Sequence, residues 1–353
     1  FRFHNRGVLQ SGVTGGRIRI MDPSFWYDGN QIAGDGAVVL AGSTATFEGV
    51  TLFNGVMEWA GVTTAGDLRI RGPVPVQWNN ARVVGSLTVD PGSRIDIRSG
   101  GTHHIASGNS ANPAAITNRG TVSFEGAPLY AWDASRLVNR GTWRLESDGT
   151  AIEYCCGGGY PVLINEGVFS KTGGDGASTL GSVVVEQRAA FSAASGQIRV
   201  GFHSTWFGGS RVEGLGSVAV TGGNMTGAGL VTLSAPLEIA GANLFGEASF
   251  LGAAPLRWSS GRLYNTLRIE SGGQMAVIGT MHFASGNSAT PAVFTNRGTV
   301  RYTGNGASYS WDASRVVNEG QWLIENDGII GVYCCGGGYP SFENSGTLAK
   351  IGG

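Results

Sequence analysis

Apolar and polar residues alternate in short runs along the whole chain, and none repeats with the 3.6-residue period of a helix. The clearest runs are Thr121-Val122-Ser123-Phe124, Thr142-Trp143-Arg144-Leu145 and Gln321-Trp322-Leu323-Ile324. Others pair Ile18 with Ile20, Leu87 with Val89, Ile95 with Ile97, Ile198 with Val200 and Leu267 with Ile269. Period two marks a strand with one buried face, here about four to six residues long. Glycine punctuates the runs: 60 of 353 residues, more than twice the usual share of roughly 7%. Short strands between frequent turns make the chain all-β and leave a sandwich, a propeller or a solenoid.

Repetition chooses among these. YCCGGGYP stands at Tyr154–Pro161 and again, letter for letter, at Tyr333–Pro340. ASGNSA recurs at Ala106 and Ala284, TNRGTV at Thr117 and Thr295, and WDASR at Trp132 and Trp311. KTGG at Lys171 answers KIGG at Lys350. The offset drifts from 178 (Ala106 to Ala284) to 180 (Trp78 to Trp258), so the chain reads as two tandem copies, residues 1–174 and 175–353. Within each copy Asn-x-Gly recurs at Asn118, Asn139 and Asn165, then at Asn296, Asn318 and Asn344, spaced 21, 26, 22 and 26 residues apart.

A rung near 22 residues with Asn at one corner predicts a parallel β-helix whose asparagines stack in a side-chain ladder. Gly two residues later is expected to supply a positive φ at that corner. A propeller blade of about 40–45 residues would need tight hairpins, and their N-G or D-G signals are sparse. Each copy would hold about eight coils and rise by roughly 38 Å, giving a rod near 75 Å, at about 4.8 Å per coil. No charged or helical cap is visible at either terminus, so the chain reads as part of a longer array or of an end-to-end assembly. It opens at Phe1 without an initiator Met or signal peptide, as a processed product or an excerpt would, and this says nothing of secretion.

Composition removes several functions. Net charge is −1, from 24 basic and 25 acidic residues, so no nucleic-acid partner is indicated. No apolar run of about 18 residues occurs, so no membrane-spanning helix is expected. No cofactor or metal motif is present: C-x-x-C is absent, and GGDGAS at Gly173 does not fit the calcium pattern of some solenoids.

The residues that remain are few. Cys155 and Cys156 lie too far along a solenoid from Cys334 and Cys335 to bond them, since a disulfide needs Cα atoms within about 7 Å. Three states stay open: a vicinal disulfide in each word, reduced thiols, or a bond to a neighbouring chain. Trp143 and Trp322 sit in alternating strands and belong to the core, whereas Trp132 and Trp311 open corner segments. Trp132, Asp133 and Arg136, with Trp311, Asp312 and Arg315, are therefore candidate surface contacts for a glycan. Glu146 and Asp148 share a strand face and fall within the reach of a glycosidase pair, about 5–10 Å. Yet Asp148-Gly149 and Asp327-Gly328 read as turns, and duplicated active sites are unexpected in an enzyme. His104 and His282 align without an acidic partner.

The Asn-x-Gly-x-apolar runs and KTGGDGASTLG at Lys171 resemble repeats of very large bacterial surface and secreted β-solenoid proteins, the haemagglutinin-like and autotransporter-adhesin-like chains. CCGGGYP departs from that pattern. The resemblance implies export to the cell surface, a structural or adhesive role, and no cofactor or catalytic residue. The expectation is a non-enzymatic fibre, stalk or filament segment whose partners are itself, further repeats or surface glycans. The alternative is a β-helix that binds or cleaves carbohydrate.

Overall fold

A computed structural model describes residues 1–327 and 331–353, and no helix occurs among them. They form two compact units, Phe1–Val184 and Val185–Gly353, each a parallel β-solenoid. Every strand pairing within the units is parallel, which excludes a sandwich or a propeller. Each turn carries three strands on three faces. In the first unit one turn runs through Ala115–Asn118, Thr121–Phe124 and Leu129–Ala131, and the next through Arg136–Asn139, Thr142–Leu145 and Gly149–Tyr154. Among the described residues eight strands stack on the face that ends at Val168–Lys171, and eight on the face that ends at Thr347–Lys350.

The alternation places the core. In Thr142–Leu145 Trp143 and Leu145 point inward and are fully buried, while Arg144 faces solvent. Each winding then sets like upon like: Trp143 stacks on Phe169 with centroids 6.1 Å apart, Trp26 on Phe47 at 5.8 Å, and Trp59 meets Trp78 edge-on at 5.5 Å. Each large buried side chain contributes about 1.5–3 kcal/mol through lost water contact. A few strands exceed the expected length because they pass through a corner. Val56–Arg71 does so at Gly61 and Gly66, whose φ angles of 83° and 79° turn the chain without breaking the ladder.

The Asn-x-Gly corners hold a buried amide ladder. Asn118 Nδ2 donates to Asn139 Oδ1 (2.8 Å) and to the Thr142 carbonyl (2.9 Å). Asn139 repeats this toward Asn165 (2.8 Å) and the Val168 carbonyl (3.0 Å). In the second unit Asn296 donates to Asn318 and Asn318 to Asn344, both at 2.7 Å. The glycine does something other than expected. None of Gly120, Gly141, Gly167, Gly298, Gly320 and Gly346 has a positive φ. A Cβ on Gly141 would instead lie 2.2 Å from the Gly120 carbonyl oxygen one turn below, and Gly167, Gly320 and Gly346 meet the same obstacle. Glycine is required there by the closeness of stacked backbones, not by the turn.

Asn139→Ala removes two buried acceptor contacts and strands the Asn118 amide, so it should destabilise the first unit by roughly 2–4 kcal/mol. Asn344→Ala, at an exposed rung, should cost under about 1 kcal/mol. Urea unfolding of the two variants checks both, and equal effects would contradict a ladder that stabilises through burial.

Candidate functional site

The three words most alike between the copies converge at one corner. In successive turns the chain leaves the third face at residues 106–114, 132–135 and 155–161, and these segments stack. The second unit repeats the arrangement at 284–292, 311–314 and 334–340. Turn length varies here because the loops grow here. Ser86 sits opposite Ala115, 29 residues on, whereas Asn118 sits opposite Asn139, 21 on.

Asp133 fastens the three levels. It is buried, with φ 56°, and Ala134 follows at φ 53°. The Asp133 carboxylate accepts the Gly108 N–H of the turn below at 2.7 Å. Its own N–H, and that of Ala134, donate to the Gly157 and Gly159 carbonyls of the turn above at 3.3 and 3.0 Å. A Cβ on Gly158 would lie 2.1 Å from Asp133 Oδ1. Asp312 does the same in the second unit, accepting Gly286 N–H at 2.9 Å and donating to Gly336, while Ala313 donates to Gly338.

The upper loop is closed by a vicinal disulfide, Cys155–Cys156, and its copy by Cys334–Cys335; no described cysteine is free. Cys156 has φ 71° and Gly157, Gly158 and Gly159 follow with φ of 97°, 76° and 102°, a continuous left-handed run that only glycine tolerates without strain. Cys156 is exposed and Cys155 half-buried. Tyr154 and Tyr160 flank the loop with ring centroids 4.6 Å apart, as do Tyr333 and Tyr339 at 4.8 Å.

The candidate glycan residues do not share one surface. Trp132 and Trp311 are half-buried, Asp133 and Asp312 are turned inward as fasteners, and Arg136 and Arg315 are exposed at the start of the next face. Arg315 forms a bidentate pair with Glu343 (2.9 and 3.0 Å). The groups that do meet the tryptophan were not adjacent to it in sequence. The Arg82 guanidinium lies over the Trp132 ring at 5.2 Å, and His104 meets its face edge-on at 5.4 Å and stacks on Tyr130 at 5.9 Å. Arg262, His282, Tyr309 and Trp311 repeat this set. One signal pointed to them: the identical words recur about one turn apart.

The charged groups are committed to structure. The Lys171 ammonium, itself buried, donates to Asp148 at 2.5 Å, and this contact, with the Gly176 N–H, holds the Asp148 carboxyl below its usual range. Lys350 and Asp327 pair likewise. Glu153 accepts the Tyr154 and Ser182 N–H groups, both at 3.2 Å. Burial, then the Arg82 charge, pushes the His104 imidazole pKa down; burial and Arg262 do so for His282. Burial also lowers His103, against the hydrogen bond of its ring to the Arg98 carbonyl at 2.8 Å. Among the described residues no group of three His, Cys, Asp or Glu is placed to hold a metal ion. No protein family, curated protein or solved structure matches the chain.

The depressed histidines make stability pH-dependent. Each is neutral in the fold at pH values where the unfolded chain, with an imidazole pKa near 6.5, binds a proton. Their contribution is complete above about pH 6.5 and is lost as pH falls toward the lowered folded values. His103→Met, which installs the residue that Met281 supplies in the second copy, should flatten the loss between neutral and mildly acidic pH. Urea midpoints of wild type and variant across that range measure it, and parallel curves would refute the assignment.

Proposed function

We propose that the chain is an extracellular structural and adhesive β-solenoid segment, of the fibre, stalk or filament kind, whose action is mechanical and non-catalytic. The observation that carries this reading is the parallel stacking itself. Equivalent residues of successive turns bond along the axis through backbone, amide and aromatic ladders, so length is gained without a new kind of contact. The edge strand Thr347–Lys350 bonds Gln321–Ile324 on one side. Its turn presents Phe342 (40% exposed) and Leu348 (47% exposed). Another turn of the same kind, from a second copy or further repeats, would pair that edge and cover those side chains. A net charge of −1 leaves little repulsion between copies.

Two features support export and the absence of catalysis. Paired cysteines suit an oxidising compartment. The carboxylates that a glycosidase would require are occupied: Asp148 by Lys171, and held acidic where a general acid needs a raised pKa.

Sedimentation velocity and electron microscopy over a wide concentration range test the reading. Concentration-dependent linear assemblies are expected, and Phe342→Asp with Leu348→Asp should abolish them by placing two charges on the contact surface. A single small species at every concentration for the wild type would sink the assembly role.

A further inference from the structure

The two disulfide-closed loops have properties that turning a solenoid corner does not demand. Most corners of the fold turn on isolated left-handed glycines, such as Gly61 and Gly66. Here four consecutive residues are left-handed, and they are fastened from below by Asp133 or Asp312. The backbone N–H groups of Cys156, Gly157, Gly158 and Gly159 donate to no acceptor among the described residues, and neither do those of Cys335, Gly336, Gly337 and Gly338. Their carbonyls face the fastener, since Gly157 and Gly159 accept from Asp133 and Ala134. An exposed loop thus offers a short run of unused donors between two tyrosine rings, with the disulfide between them. Tyr160 is 47% exposed, Tyr339 82% and Tyr333 43%.

We propose that each Tyr-Cys-Cys-Gly-Gly-Gly-Tyr loop is a saccharide-binding subsite. A sugar ring has apolar C–H faces that pack on tyrosine and a rim of hydroxyl and ring oxygens that accept N–H donors, and this loop carries both complements. Tyrosine supplies rigid contact area at small entropic cost, and a corner closed by a covalent bond and a buried carboxylate is ordered before the ligand arrives. The ligand is uncharged. The one cation beside each loop is already engaged: Arg82 Nε donates to the Ala106 carbonyl at 3.0 Å with its guanidinium over Trp132, and Arg262 Nε donates to Ala284 at 2.7 Å with its charge 3.8 Å from Asp312. The subsite binds and does not cleave. Cleavage takes two carboxylates, and Val332 stands in the second copy where the first has Glu153. Two subsites on one chain raise the avidity for a polymer above that of either alone. This inference is independent of the assembly reading, because the loops and the Phe342 and Leu348 surface are separate residues.

The experiment uses the full chain in affinity electrophoresis through gels containing dextran, xylan, laminarin or mannan, with heparin as the anionic comparison, and an array of neutral oligosaccharides for the best hit. Retardation by at least one neutral polysaccharide is expected. Tyr160→Ala with Tyr339→Ala should weaken it about tenfold, some 1.4 kcal/mol, while the corresponding Phe variants retain most of it. Replacing all four cysteines by Ser should weaken binding without changing the core, which the urea midpoint verifies. The Phe342→Asp, Leu348→Asp variant should bind as wild type does. No retardation by any neutral polysaccharide, binding confined to heparin, or full binding by the folded double Ala variant would each overturn the proposal.

Discussion

The constraint on which the structure depends is that every residue lies over its counterpart one turn away, at about the 4.8 Å spacing of paired strands. A side chain must therefore tolerate its own neighbour along the axis. Inside, aromatic and aliphatic groups satisfy this by packing, and asparagine satisfies it because an amide is both donor and acceptor. Outside, like charges at that spacing repel. The surface ladders accordingly alternate in sign, with Arg140 beside Glu166, Arg297 beside Glu319 and Arg98 beside Glu125. Buried Asp90 obeys the same rule. Burial alone would raise its pKa, and the hydrogen bonds and charges of Arg69 and Arg71 on the preceding turn more than offset this and hold it low. A chain under this rule has little use for isolated charges, consistent with only 14% charged residues.

What could be read from the sequence was what is local or strictly periodic. Period-two strands need only their own residues, so Thr142–Leu145 and its kin were legible, as was the parallel solenoid implied by the Asn-x-Gly spacing. What escaped was what one turn imposes on the next. Gly141 looked like a turn glycine, but the atom that forbids its side chain is a carbonyl 21 residues earlier. Asp133 and Arg136 looked like companions of Trp132 because they are close in sequence. The fold gives Asp133 to Gly108 and puts Arg136 on another face, while Arg82 and His104, 50 and 28 residues upstream of the ring, come to lie against it.

The same logic explains why novelty concentrates at one corner. A strand cannot gain a residue without reversing its inward and outward sets, but a corner can lengthen outward while the strands on either side keep register. The segments at 106–114 and 155–161 are such extensions. The strands that follow them, Ala115–Asn118 and Val162–Asn165, still pair in step with Arg136–Asn139 between them.

Extension alone would not produce the geometry found. Asp133 and Ala134 adopt left-handed backbone conformations that cost L-residues roughly 1–2 kcal/mol each, and glycine at position 134 would avoid that cost. Both residues recur unchanged at Asp312 and Ala313 with φ values within a few degrees, and their N–H groups meet the same two loop carbonyls. At Asp133 the strain has a local return, because the carboxylate holds the lower loop through the Gly108 N–H. At Ala134 the half-buried methyl contributes little that a turn requires. A bare solenoid corner has no reason to keep it twice. A corner selected for the shape of the loop above it does, since an alanine Cβ there sits about 3.4 Å from where a side chain at Gly159 would begin and so restricts that position to glycine, keeping the left-handed loop open to solvent.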